Sequence, residues 1–129
     1  MVIVDTSVWV EFLDRFNPLV RADLVELLRR GEAATAGLVL AELRRGCRSA
    51  AQVKAVLEAM ESLIYLEATR EMWLRAGEIA AEAAARGYTL DVRDCLLAAL
   101  ALREQCLIFS LDRDFERIPG LKLHRPRVN

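Results

Sequence analysis

Short apolar runs and longer amphipathic stretches alternate along the chain, and their periods separate strands from helices. Val2 to Val4 is an unbroken β-branched run, the pattern of a strand buried on both faces. It ends in Asp5-Thr6-Ser7, whose hydroxyls suit capping of a helix over about Val8 to Asp14. Asn17-Pro18 has the composition of a helix cap and first helical position. From there Val20, Leu24, Leu27 and Leu28 recur at helical spacing up to Arg30, with Gly31 as the stop. Ala33 to Ala36 is a weakly marked second strand, followed by a short helix over about Leu38 to Arg45 that stops near Gly46. A helix over Ala50 to Ser62, a strand over Leu63 to Leu66 and a long helix over Arg70 to Arg86 come next. The helix over Asp91 to Glu104 carries Leu97, Ala98 and Ala101 along its apolar stripe. Cys106 to Phe109 is a clear strand, Asp112 to Arg117 makes one or two helical turns before Gly120, and Leu121 to Leu123 is a last, edge-like strand.

Strands separated by helices imply parallel pairing through right-handed crossovers. The expected fold is therefore α/β: a three-layer sandwich with a central, mostly parallel sheet of four or five strands and helices on both faces. At 129 residues the chain fits one domain over 1–129. A hydrophobic share of 54% with 6 Gly and 3 Pro excludes a disordered or low-complexity chain. The apolar start is broken by Asp5 and Glu11, so it reads as neither signal peptide nor membrane span. Cys47, Cys95 and Cys106 are odd in number and form no C-x-x-C pair, which fits a reducing, cytoplasmic setting and small core residues.

Four acids interrupt this pattern where an acid is least expected. Asp5 follows the first apolar run, Glu42 lies inside GLVLAELRRG, Asp94 opens DCLLAALAL and Asp112 comes just after CLIFSL. In sheets of this kind the functional crevice lies beyond the carboxyl ends of the strands. Asp5 and Asp112 sit at such ends, and Glu42 and Asp94 lie on helices able to face it. Each has a plainer reading. Asp5 suits a helix cap, though Thr6 and Ser7 already offer that. Glu42 taken alone suits a surface pair with Arg45 one turn on. Asp94 stands three residues after Asp91, a spacing that resembles a capping box; its alignment with the buried stripe makes Asp91 the cap and Asp94 the ligand. Asp112 and Asp114 are not separated by spacing, and Asp112 is preferred as nearer the strand end.

Two carboxylates about 4 Å apart repel by roughly 4 kcal/mol at an effective dielectric near 20, so several converging acids need proton uptake or a cation. An all-oxygen donor set without His or thiolate selects a hard ion, Mg²⁺ or Mn²⁺ rather than Zn²⁺. Such an ion would acidify a bound water and clamp a phosphodiester. The net charge of −1 gives no bulk attraction to nucleic acid, so any such binding depends on local placement. Arg44, Arg45, Arg48, Arg93 and Arg113 lie near the acids in sequence, and guanidinium forks suit phosphate.

The ordered set VIVDTSVWVEFL, LAEL, DVRDCLLAALAL and LIFSLDRDF resembles the PIN-domain ribonucleases, and within them the small VapC-type toxins of toxin–antitoxin pairs. No piece is specific by itself; together, in this order, they span nearly the whole chain. The resemblance implies a Mg²⁺- or Mn²⁺-dependent endoribonuclease acting on single-stranded or loop RNA, a homodimer, and a small antitoxin protein as partner. It maps the four acids onto Asp5, Glu42, Asp94 and Asp112, with Ser7 as a hydroxyl that helps position metal or phosphate. Ser110 stands where the family usually has Thr, and a hydroxyl is kept.

Other chemistries fit less well. A haloacid-dehalogenase-type phosphatase needs a second Asp two residues after the first, where Ser7 stands, and a receiver domain needs a Lys after its last strands, whereas Lys122 lies within the last strand and Lys54 on an unrelated helix. A binding protein that keeps the fold without catalysis is disfavoured by the presence of all four acids. Trp9 is read as core or dimer interface rather than a base-stacking platform, and Trp73 with Met72 as packing. His124, the single histidine, is a weak candidate for acid–base work, and a Cys95–His124 pair a remote one.

Overall fold

The computed structural model describes residues 1–14 and 17–126. The order is β1 (Val2–Val4), α1 (Thr6–Leu13), α2 (Pro18–Arg29), β2 (Ala33–Ala36), α3 (Gly37–Gly46), α4 (Ala50–Met60), β3 (Ile64–Leu66), α5 (Arg70–Ala85), α6 (Val92–Glu104), β4 (Leu107–Phe109) and a 3₁₀ turn over Arg113–Arg117. Side chains at the entries explain several boundaries. Asn17, Ser49, Thr69 and Asp91 each accept a hydrogen bond from a backbone N–H of the first helical turn, and Pro18 supplies the preset first position of α2. Gly31, in the left-handed region at φ 66°, turns the chain from α2 towards β2.

All described strands run parallel, in the order β3-β2-β1-β4. Every residue of β1 and β2 is buried. Burial rather than propensity makes Ala33–Ala36 a strand, because tertiary packing overrides the weak preference of alanine. The path from β1 to β2 to β3 moves in one direction, and the return to β4 reverses it. Right-handed crossovers therefore put α1 to α4 on one face and α5 with α6 on the other. The packing agrees: α1 lies on α2 and α3, α3 on α4, and α5 against α6. The reversal also makes the gap between β1 and β4 the switch point of the sheet, where a crevice opens beyond the carboxyl ends.

Three sequence expectations change. The fifth strand is reduced to a single parallel bridge between Ile108 and Leu123, since the Gly120 turn and the three-residue β4 leave no room for a longer ladder. Thr6 and Ser7 do not cap α1. They lie within it, Asp5 occupies the cap position without a side-chain capping bond, and both hydroxyls serve carboxylates instead. Charge-assisted bonds of that kind are roughly twice as strong as neutral ones. Trp73 is 47% exposed and so is not core packing, while Met72 does lie against the core. Trp9 is core, at 1% exposure and edge-on to Phe12. Its indole N–H has no partner among the described residues, a cost of about 1–3 kcal/mol that the aromatic packing has to offset.

Candidate active site

Asp5 leaves the end of β1 with its backbone N–H bonded to the Phe109 carbonyl of β4 at 2.9 Å, which places it over the switch point. Its side chain is only 7% exposed, and a carboxylate so buried needs compensation. Two hydroxyls supply it. Ser7 Oγ donates to Oδ2 at 2.8 Å and Ser110 Oγ to the same oxygen at 2.7 Å. The two serines also accept, Ser7 from the Leu111 N–H at 3.0 Å and Ser110 from the Asp112 N–H at 3.0 Å. With each hydroxyl proton directed at Asp5, the 3.2 Å Ser7–Ser110 approach is a contact between two donors to one carboxylate. Asp5 is thus tied to the loop after β4, more than a hundred residues away in sequence.

Asp94 enters from the first turn of α6, beside Cys95 and the fully buried run up to Ala101. Its carboxyl is pushed up to about 7, first by burial and then by the negative charges of Asp5, Asp112 and Asp91, with Arg93 opposing. A helix N-terminus favours an anion by about 0.3–1 kcal/mol, too little to hold this group in the ordinary range. Asp112 lies at the head of the 3₁₀ turn and accepts from the Asp114 N–H at 2.9 Å, so it is a cap and a neighbour of Asp94 at once. Asp114 instead faces Arg117 at 3.7 Å.

Glu42 reaches the group from α3 through two contacts. Thr6, next to Asp5, donates to Oε1 at 3.1 Å, and Arg93 of α6 approaches Oε2 at 3.4 Å. The expected pairing with Arg45 is not made, because Arg45 lies one turn on in an exposed position while Arg93 and Thr6 converge on Glu42 from other elements. Asp91 caps α6 through the Arg93 N–H at 2.9 Å and binds the Arg93 guanidinium at 2.7 Å. Those Arg93 bonds hold the Asp91 carboxyl below the usual range.

The fold therefore brings Asp5, Asp94 and Asp112 within electrostatic reach, with Glu42 joined through Thr6 and Arg93. Among the described residues no three acidic, histidine or cysteine side chains stand close enough to ligate one ion as they are placed. Each carboxylate is relieved separately: Asp5 by hydroxyls, Asp112 by a backbone N–H, Glu42 by Thr6 and Arg93, and Asp94 by a raised pKa. Arg44, Arg45, Arg48 and Arg113 are exposed and make no ion pair among the described residues. His124 sits by Asp23 at 3.2 Å and on the Phe109 ring, and Cys95 is buried with its thiol pushed up by burial; the two form no pair. Thr6 was not legible as part of the site, since its partner is 36 positions away and only its position after Asp5 hinted at it.

The chain thus has an all-parallel sheet sandwiched by helices, with a buried Asp5 and the less buried Asp94, Glu42 and Asp112 around the gap between β1 and β4. The family model described as PIN domain matches residues 2–121, and the chain belongs to that family. Among individual relatives, ribonuclease VapC21 of Mycobacterium tuberculosis is 29% identical over 107 residues, which cover 81% of this chain and 78% of that protein. The fold is similar to VapBC2 from Rickettsia felis, solved bound to a DNA fragment from their promoter, with a TM-score of 0.78 and 23% identity over 96% of this chain and 98% of that one. It is also similar to VapC20 of Mycobacterium tuberculosis, a sarcin-ricin loop cleaving toxin, with a TM-score of 0.70 and 21% identity over 98% of this chain and all of that one (100%).

Proposed function

We propose that this chain is a Mg²⁺- or Mn²⁺-dependent endoribonuclease, a single PIN-like domain over residues 1–129 that acts as the toxin of a toxin–antitoxin pair. The observation that carries the reading is Asp94, half-buried at a switch point with Asp5 and Asp112 and driven to about 7 by burial and by their charges. Such a cluster is short of positive charge, and its all-oxygen chemistry suits a hard divalent ion. Asp5, Asp94 and Asp112, with Glu42, would hold it. When bound, the ion would neutralise this charge, acidify a water and polarise a phosphodiester.

The remaining work belongs to the chain. Ser7 and Ser110 fix Asp5 Oδ2, so the orientation of this carboxylate is set by the two strand ends. Thr6 holds one oxygen of Glu42. Asp94 would have to give up its proton to serve as a ligand, so binding would be favoured above about pH 7. Asp112, rather than Asp114, is the fourth acid, since its charge acts on Asp94 while Asp114 is turned to Arg117. Asp91 serves α6 and Arg93 and is not a ligand. Ser7 in place of a second Asp leaves no acid–base partner for phosphoryl transfer to Asp5.

Arg44, Arg45, Arg93 and Arg113, with Arg48 beside them, are the phosphate contacts. Replacing Arg44 and Arg48 together by glutamine should weaken binding of single-stranded RNA and reduce the slope of log affinity against log salt by roughly 1.4, two contacts at about 0.7 each. Filter binding at several salt concentrations measures it; an unchanged slope removes these arginines from the RNA path. Leu57, Tyr65, Trp73 and Leu74 leave large apolar side chains on the surface, in keeping with a homodimer and a small antitoxin protein as partners. Among the described residues no helix is long and apolar enough to cross a membrane; the cytoplasm as site of action rests on the cysteine usage alone.

The deciding experiment incubates the purified protein with single-stranded and structured RNA in Mg²⁺, Mn²⁺ or EDTA and maps the new ends. Cleavage only with the cation, leaving 5′-phosphates, is expected. Cation-independent cleavage, or none on any RNA together with no growth effect on expression, would sink the reading.

A further inference from the structure

Arg93 stands in an uneven double contact. Its Nε and NH2 groups grip Asp91 at 2.7–3.2 Å, and its backbone N–H binds the same carboxylate at 2.9 Å. The third nitrogen, NH1, extends to Glu42 Oε2 on the other face of the crevice at 3.4 Å. The Asp91 side is short, forked and local to α6. The Glu42 side is a single long contact between elements 51 positions apart. Glu42 keeps its Thr6 bond on the other oxygen, so Oε2 is the oxygen whose partner can change without moving the side chain.

The geometry points to Arg93 as an exchangeable counter-ion: tethered by Asp91, it holds Glu42 Oε2 until a divalent cation takes that oxygen, and the released NH1 then binds a phosphate of the RNA. This rests on the reading of the acidic cluster as a cation-binding nuclease site, and adds to it that cation and Arg93 compete for one carboxylate oxygen. The exchange conserves charge: one Arg93–carboxylate contact is lost and one Arg93–phosphate contact made. Lys would not serve equally, because an ammonium cannot fork on Asp91 while a separate nitrogen reaches across.

The competition separates this role from a structural one. An arginine that merely steadied the crevice would weaken cation binding when removed. Arg93→Gln should instead bind Mn²⁺ more tightly, by about fivefold, the upper range for loss of an exposed ion pair. In the same variant KM for a short RNA that the wild type cleaves should rise severalfold. The backbone N–H of residue 93 remains to be capped by Asp91, so α6 keeps its start.

Mn²⁺ binding to the metal-free wild type, Arg93→Gln, Arg93→Lys and Asp94→Asn is measured by calorimetry without RNA, with circular dichroism as a check on folding. Tighter binding by Arg93→Gln, with Arg93→Lys in between and Asp94→Asn much weaker, supports the exchange. Unchanged or weaker Mn²⁺ binding by Arg93→Gln, with Asp94→Asn still defective, overturns the exchange and leaves the site reading standing. Wild-type Mn²⁺ affinity in Asp94→Asn overturns both. If Arg93→Gln is misfolded, Arg93→Lys decides by the same comparison, since it loses the fork but not the charge.

Discussion

Asp5→Asn is expected to lower cation-dependent RNA cleavage by about a thousandfold or more while the protein stays folded. The substitution separates charge from hydrogen bonding. Among the described residues both side-chain hydrogen bonds to Asp5 are donated by hydroxyls, to Oδ2 from Ser7 and Ser110. An amide oxygen in the same place accepts both, so the link from β1 to the loop after β4 survives. What disappears is the negative charge of a side chain only 7% exposed, and with it one source of the repulsion on Asp94. Stability should therefore change by no more than about 1 kcal/mol, the exchange of two charge-assisted bonds for neutral ones being offset by relief of like charge. Single-turnover cleavage in Mg²⁺ and urea unfolding in EDTA measure the two effects. Wild-type cleavage by the folded variant would take Asp5 out of the mechanism.

The second large effect is a gain of stability from Asp94→Asn, and it depends on pH. Below about pH 4 Asp94 is protonated in both the folded and the unfolded chain and contributes nothing. Between about pH 4 and 7 the unfolded chain releases this proton while the folded one keeps it, so the folded state binds more protons and stability falls as pH rises. Above about 7 both forms are ionised and the loss is complete. About half of the group remains open to solvent, so the full shift overstates the cost, and about 2 kcal/mol is the expected size. In EDTA the difference between Asp94→Asn and wild type should thus be near zero at pH 4, grow through pH 7 and stay level at pH 8. Excess Mg²⁺ should restore the wild type by selective binding to the folded state and leave the variant nearly unaffected. Urea midpoints at these pH values test both halves. A variant less stable than wild type at pH 8 without cation would show that Asp94 is held by favourable contacts rather than strained by its neighbours.

Local regularities were enough to place most elements within a residue or two, because caps such as Asn17, Ser49, Thr69 and Asp91 lie next to the turns they close. The acids were conspicuous for the same reason: a charge beside Val2–Val4 or inside the run after Asp94 breaks a pattern that burial otherwise makes uniform. Asp91 as cap and Asp94 as the inward acid follow from their places on one helix face. Thr6 was hidden, because its hydroxyl leaves the cap position to serve Glu42, 36 positions away, and that is a tertiary outcome. So was the Glu42 partner, which a helical period assigned to Arg45 and the folded chain gave to Arg93.

What the sequence by itself determined is the alternation of buried parallel strands and helices, and hence a crevice at the strand ends with acids near it, since these depend on hydrophobic period and local capping alone. Strand order, the meeting of Ser7 and Ser110 on one oxygen of Asp5, and the reach of Arg93 to Glu42 were decided only by the tertiary structure. Apart from the local Ser7–Asp5 bond, those contacts join residues 51 to 105 positions apart, and they exist only once the folded chain has brought separate segments together.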